Sequence, residues 1–130
     1  MSAFKTELEI SCDPKNDGIW ILDADLVYDS DLMGATIKVP KGFFTDLASV
    51  PRVPIIYELW GNRAHREAVI HDYLYRADSE PFATFMQANR VFREAMIVRG
   101  KPFWIRAFMF AGVCFGWQQY HQKLVSWKPD

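Results

Sequence analysis

The hydrophobic and polar positions follow two different periods along the chain. In residues 20–27 and 35–40, every second residue is apolar, and the polar residues of these segments lie at the positions between them. This alternation is typical of half-buried β-strands. Turn-forming residues at 13–18 and 29–31 separate these segments, because Asp, Asn, Pro and Gly favour tight backbone geometry. We predict two or three antiparallel strands that could include residues 4–10, with residues 42–44 leading out of the sheet.

The second half of the chain has helical spacing. Residues 63–77 contain neither Gly nor Pro and are predicted to form a first helix. Ser79 is predicted to cap a second helix that runs to Arg99 and stops at Gly100. Its core stripe comprises Phe82, Phe85, Met86, Asn89, Phe92 and Met96. A third helix is predicted over residues 102–121.

Together these elements predict one α+β domain over residues 1–130, with an N-terminal antiparallel β-hairpin or small sheet followed by three C-terminal helices. Half of the residues are hydrophobic, which supports a packed core and excludes wholesale disorder. The longest apolar stretch, residues 103–117, is interrupted by Arg106 and is too short for a transmembrane segment. The N-terminus lacks the apolar core of a secretory signal peptide.

Charge and cysteine content narrow the function classes. The net charge is −1, which argues against a general affinity for nucleic acid. Residues 1–60 carry five basic and ten acidic side chains, whereas residues 61–130 carry ten and six. The basic half could therefore face an anionic surface or simply the acidic half. Cys12 and Cys114 show no metal-binding spacing, and we expect two free thiols rather than a bridge.

One candidate site lies where polar residues interrupt the apolar segment 44–52. Thr45, Asp46, Ser49 and Arg52 could offer a ligand carbonyls, a carboxylate or a hydroxyl. They could equally cap a turn and pair charges in a strand-to-helix connection. Ser49 is not in a Gly-x-Ser-x-Gly motif, so a serine nucleophile is poorly supported.

The other candidate site lies on the first predicted helix. His71 and Tyr75 are four residues apart and Asp72 is beside them, so a histidine base, a carboxylate for a hard cation and a supporting hydroxyl would lie close together. Asn89, on the core stripe of the second helix, could orient the imidazole or satisfy a loop backbone. The opposing interpretation is a core histidine, with Asp72 paired to Arg76.

Three segments resemble a domain family of unknown function found in tailed phages and prophages: VPKGFFTDLASVPR (39–52), AVIHDYLY (68–75) and ANRVFREAM (88–96). This resemblance covers roughly residues 20–120. It implies a phage or prophage origin, located in the host cytoplasm or the virion, and no particular activity.

The spacing His71-Asp72-x-x-Tyr75 is also similar to that of secreted phospholipases that cleave the sn-2 ester of glycerophospholipids. That resemblance implies that His71 is the general base, that Asp72 binds calcium and that Tyr75 supports the residue orienting the histidine. Residues 46–49 would lie near the metal. In those enzymes an aspartate orients the histidine. The corresponding position in this chain falls near Asn89, which carries an amide instead. The flanking cysteines and the glycine-rich calcium loop are also missing.

Two functions follow from these observations. The first is a phage virion or assembly component, or a host modulator, that binds other phage or host proteins. The second is a phospholipase-like hydrolase that activates water with His71 and Asp72 and could use calcium and phospholipid. The small size and the incomplete catalytic set favour the binding protein.

Overall fold

The described part of the chain folds into two small antiparallel sheets followed by three helices. The structure is a computed structural model, and it describes residues 1–15, 19–45, 65–100, 102–114 and 124–126. Its strands are β1 (Ala3–Phe4), β2 (Ile10–Cys12), β3 (Trp20–Leu22), β4 (Leu26–Ser30), β5 (Ala35–Val39) and β6 (Phe44–Thr45). Its helices are α1 (His65–Leu74), α2 (Phe85–Val98) and α3 (Phe103–Cys114). The α+β class is therefore as predicted.

The first sheet has the order β1-β4-β5, with every pair antiparallel. The period of two predicted for residues 35–40 is confirmed in β5, where Ile37 and Val39 are buried while Thr36 and Lys38 are exposed. The β4–β5 turn lies a few residues later than predicted, after Ser30. Gly34 adopts a φ of 61° there, a conformation that a residue with a Cβ rarely takes.

The second sheet, with the order β2-β3-β6, was not predicted as a separate sheet. The alternation over residues 20–27 does not form one strand, because the chain passes from β3 in one sheet to β4 in the other. Aspartates stabilise this crossing. Asp23 accepts from Ser11 Oγ at 2.8 Å, and Asp25 accepts from the Lys41 N–H at 2.7 Å. That backbone bond and the Lys38 ammonium hold the pKa of Asp25 below its usual value.

Residues 42–44 were expected to leave the sheet, and this prediction is wrong at its last position. Phe44 pairs with Ile21, and Thr45 pairs with Trp20, so the chain returns to β3 as strand β6. The side chain of Phe43 is buried in the core. The described part of this strand is Phe44–Thr45.

Helix α1 ends at Leu74, before the end of the predicted range 63–77, and the chain is buried on nearly all sides from Ala68 to Arg76. Helix α2 begins at Phe85 rather than just after Ser79, because Thr84 is its N-cap and exchanges hydrogen bonds with Gln87. Phe82 and Met86 are consequently exposed instead of lying in the core stripe. The helix stops as predicted, with Arg99 as C-cap and Gly100 at a φ of 75°.

Helix α3 lies within the predicted range 102–121, of which residues 115–121 are outside the described part. Ile105, Met109 and Val113 pack its inner side into the core. Among the helices of the described ranges, none has the length and apolar character needed to cross a membrane. Cys12 and Cys114 are both free thiols.

Candidate functional site

The candidate site is built from α1, α2 and the end of β6. Helix α1 supplies His71 and Asp72, and Tyr75 follows its last residue, while α2 supplies Asn89 and β6 supplies Thr45. All five residues are buried. The site therefore lies where the second sheet meets the helices, inside the molecule.

Asn89 joins His71 to Tyr75. Its Oδ1 lies 2.8 Å from His71 Nε2 and accepts a hydrogen bond from the Tyr75 hydroxyl at 2.5 Å. The amide nitrogen faces the Cys114 sulfur at 3.8 Å, which agrees with this orientation of the amide. Because an amide oxygen only accepts, His71 carries its proton on Nε2 and Nδ1 is the basic nitrogen of the ring.

The environment of His71 favours the neutral imidazole. Its side chain is 1% exposed, and the ring packs against Tyr75 and Phe92 with centroid distances of 4.0 and 5.0 Å. Burial lowers the pKa of His71 to about 4, although its bond to Asn89 acts in the opposite direction. Near pH 7 the ring is therefore uncharged and able to accept a proton.

Asp72 and Thr45 link α1 to the second sheet. The Thr45 hydroxyl donates to Asp72 Oδ2. Just beyond the end of α1, Arg76 donates to the Phe44 carbonyl at 3.1 Å and places its guanidinium over the Phe43 ring at 5.1 Å. These contacts fix the end of β6 beside the His71 turn of α1.

Calcium requires more oxygen ligands than this arrangement supplies. Ca²⁺ is bound by six to eight oxygens, several of them carboxylates. Asp72 contributes one carboxylate, and an oxygen of that group accepts from Thr45. Over the residues that the structure describes, no group of three or more His, Cys, Asp or Glu side chains could hold a metal ion. The described residues alone do not make up a complete calcium site, so we derive no chemical step from the metal.

The structure thus brings together most of the residues singled out in the sequence. His71, Tyr75 and Asn89 form one hydrogen-bonded cluster, and Thr45 binds Asp72. The remaining predicted residues, Asp46, Ser49 and Arg52, lie outside the described residues. Catalysis by His71, Asp72, Tyr75 and Asn89, and metal binding by Asp72, stay predictions.

The sequence did not reveal the roles of two carboxylates, the buried Glu67 and the half-buried Glu94. Glu67 is fully buried and lies 3.3 Å from Arg99 Nε, which joins α1 to the end of α2. Its position four residues before His71 was the only sequence signal. Glu94 accepts from the Tyr28 and Ser30 hydroxyls and from the Leu32 N–H. No local pattern marks it, because these partners are more than sixty residues away.

Residues 20–113 match the model of the family described as "Protein of unknown function (DUF1353)". The chain belongs to this family. The DUF1353 match begins at β3, ends within α3 and includes every residue of the candidate site. No curated protein and no solved structure shows a significant match to the chain.

Proposed function

We propose that this DUF1353 protein is a hydrolase in which His71 activates water for attack on an ester. The observation that supports this function best is the double role of Asn89 Oδ1, which accepts from both His71 Nε2 and Tyr75 Oη. The phospholipase resemblance implied this arrangement: a residue of the following helix orients the histidine and is supported by the tyrosine. A phospholipid is therefore the first ester to test.

The reaction follows from the tautomer that Asn89 selects. His71 Nδ1 accepts a proton from water while the water oxygen forms a bond to the ester carbonyl carbon. The bond from that carbon to the alcohol oxygen then breaks, and the imidazolium returns the proton to the leaving alkoxide. Throughout, the Nε2–H bond to Asn89 holds the ring plane.

The neutral amide makes His71 a weak base. A carboxylate would stabilise the imidazolium by its charge, whereas Asn89 stabilises it only as a dipole. We therefore expect slow turnover in this protein. Replacing Asn89 with Asp should raise the pKa of His71 above about 4 and increase the rate of hydrolysis near neutral pH.

The test compares ester hydrolysis by the wild type, H71Q and N89D. It uses a water-soluble ester and, separately, phospholipid vesicles. The expected result is a loss of about 10²-fold or more in H71Q, since general base catalysis contributes that much, and a gain in N89D. Wild-type turnover in H71Q, or no hydrolysis by the wild type and N89D, would refute the proposal.

The two buried tyrosines of this segment supply a matched control. Tyr75 donates to Asn89, whereas the Tyr73 hydroxyl exchanges hydrogen bonds with the backbone of Glu80. Y75F should slow hydrolysis and Y73F should not. Equal effects of both variants would indicate that stability, rather than orientation of the histidine, controls the rate.

The enclosure of His71 favours a second function. At 1% exposure the ring could serve only to hold α1 against α2, in a phage or prophage protein that binds other phage or host proteins. Such a virion component, assembly component or host modulator would act in the host cytoplasm or in the virion. In that case H71Q and T45V lower the melting temperature and weaken co-purification with phage proteins, while the wild type hydrolyses no ester.

Hydrogen exchange at the imidazole C2 position separates the two functions. The rate reports how readily solvent reaches the ring and can be read by mass spectrometry. Exchange close to that of an accessible histidine supports the hydrolase. Exchange slowed to the rate of global unfolding supports the purely structural cluster.

A further inference from the structure

The outward side of α3 is apolar and uncovered. Ile105, Met109 and Val113 occupy the inner side of this helix. On the opposite side three aromatic residues remain exposed: Phe103 by 75%, Trp104 by 54% and Phe108 by 44%. A helix that is apolar on both sides is expected to be covered on both, and a patch of large exposed aromatic residues marks an interaction surface.

Cations flank this aromatic face. Arg106 is the only charged residue of α3 and lies over the Phe103 ring at 5.7 Å. Arg93 of α2 is exposed and lies over Phe110 at 5.1 Å. Within the described residues Arg106 Nε is buried without a hydrogen-bond partner. Both guanidinium groups therefore lie beside α3, where a bound anionic group could reach them.

The second half of the chain, which contains α3, carries more basic than acidic residues. Residues 61–130 carry ten basic and six acidic residues. Of those six, Glu67 and Asp72 are buried, and Glu94 binds the first sheet. The two cations described beside α3, Arg93 and Arg106, therefore complement an anionic surface, whereas a second copy of the same face would bring like charges together.

We propose that the outward face of α3 binds the surface of an anionic phospholipid bilayer. Phe103, Trp104 and Phe108 enter the boundary between headgroups and acyl chains, and Arg93 and Arg106 bind lipid phosphates. Aromatic residues flanked by cations are characteristic of helices that lie in this boundary. At 1.5 Å per residue the twelve residues of α3 extend about 18 Å, too short to cross a bilayer core of about 30 Å.

This inference goes beyond the hydrolase function, because binding of the face to lipid needs no turnover at His71. The two proposals can therefore fail separately. Hydrolysis of a water-soluble ester tests His71 without a membrane. Vesicle binding by H71Q, which keeps the α3 face intact, tests the surface without catalysis.

The experiment is co-sedimentation of the full-length protein with vesicles. One set contains phosphatidylcholine alone and the other contains phosphatidylcholine with phosphatidylserine. The wild type should bind the anionic vesicles preferentially, and added salt should weaken this binding. F103S, W104S and F108S should each reduce affinity by about tenfold or more, because each removes one inserted aromatic side chain.

Controls keep the result specific to α3. L32S replaces an exposed leucine on the β4–β5 turn and should bind vesicles like the wild type. R93Q and R106Q should reduce the preference for anionic vesicles and its salt dependence. Melting temperatures show whether each variant is folded, and because all three aromatic residues are exposed we expect little change.

Three results would overturn the proposal. The first is no binding to either vesicle, and the second is equal binding to neutral and anionic vesicles. The third is a dimer, seen by analytical ultracentrifugation, that the aromatic variants dissociate while vesicle binding is unchanged. That last result would assign the face to a second copy of the chain.

Discussion

At the scale of single residues, Asn89 determines how the buried histidine behaves. Burial disfavours the charged imidazole and lowers the pKa of His71, and the hydrogen bond to the neutral amide of Asn89 offsets only part of this lowering. The outcome is a pKa of about 4 for His71, well below the value of about 6.5 found in an unfolded chain. His71 therefore gains its proton at a more acidic pH than an ordinary histidine does.

The pH dependence of stability follows from that shift. Between about pH 6.5 and pH 4 the unfolded chain binds a proton that folded His71 does not. The His71 contribution is therefore fully present above pH 6.5 and is lost as the pH falls through this window, by about 3 kcal/mol. The free energy of unfolding, measured with urea at a series of pH values, should fall less steeply with decreasing pH in H71Q than in the wild type. Parallel curves for the two proteins would contradict this expectation.

Glu94 gives a second prediction at the residue scale. Its carboxylate accepts three hydrogen bonds, from the Tyr28 and Ser30 hydroxyls and from the Leu32 N–H. A glutamine has no charge and only one acceptor oxygen, so the charge-assisted character of these hydrogen bonds is lost. E94Q should lower the free energy of unfolding by about 1.5–3 kcal/mol, whereas E9Q, at an exposed position, should change it by less than about 0.5 kcal/mol. Chemical denaturation measures both, and equal effects would show that the network contributes nothing.

At the scale of elements, the start of α2 shows how neighbouring signals compete. Ser79 precedes Glu80 and Pro81, a sequence typical of a helix N-terminus, yet the helix starts five residues later. Thr84 prevails because Gln87 lies three residues on and the two side chains satisfy each other's backbone N–H groups. Ser79 and Thr84 are both residue types that can cap a helix. Thr84 is the N-cap because it forms a reciprocal pair of hydrogen bonds with Gln87.

Removal of the α2 cap should therefore have a measurable cost. T84A removes the hydroxyl that accepts from the Gln87 N–H and should lower stability by about 1 kcal/mol. T84S keeps an equivalent oxygen and should stay near wild-type stability. Thermal unfolding of the three proteins tests this expectation. A loss in T84S as large as in T84A would assign the effect to the methyl group instead.

The strands show where local reasoning stops. Alternation over residues 20–27 correctly indicated strands at both ends of this range, because period two is a local property. Which neighbour each strand pairs with is a non-local property. The crossing between β3 and β4 depends on contacts of Asp23 and Asp25 with residues 11, 38 and 41. Period alone therefore could not divide the strands between two sheets.

At the scale of the molecule, the same distinction separates what could be predicted of the site from what could not. The His71, Asp72 and Tyr75 group follows from the helical spacing predicted for residues 63–77, and Asn89 follows from its polar position on an apolar stripe. Contacts such as Glu67 with Arg99 and Glu94 with the first sheet join residues more than thirty positions apart. No periodic pattern encodes those contacts, so they emerge only from the folded chain.

The position of β1 and β2 has a consequence for how the family boundary should be interpreted. Both strands precede residue 20, where the family match begins, yet β1 pairs with β4 and β2 pairs with β3. A fragment trimmed to residues 20–130 would leave two central strands with open hydrogen-bonding edges, which recruit other chains. We expect such a fragment to self-associate in light scattering while the full chain does not, and monodisperse behaviour of the fragment would contradict this. The family match therefore ends short of the two sheets, because strands that precede it cover the edges of strands within it.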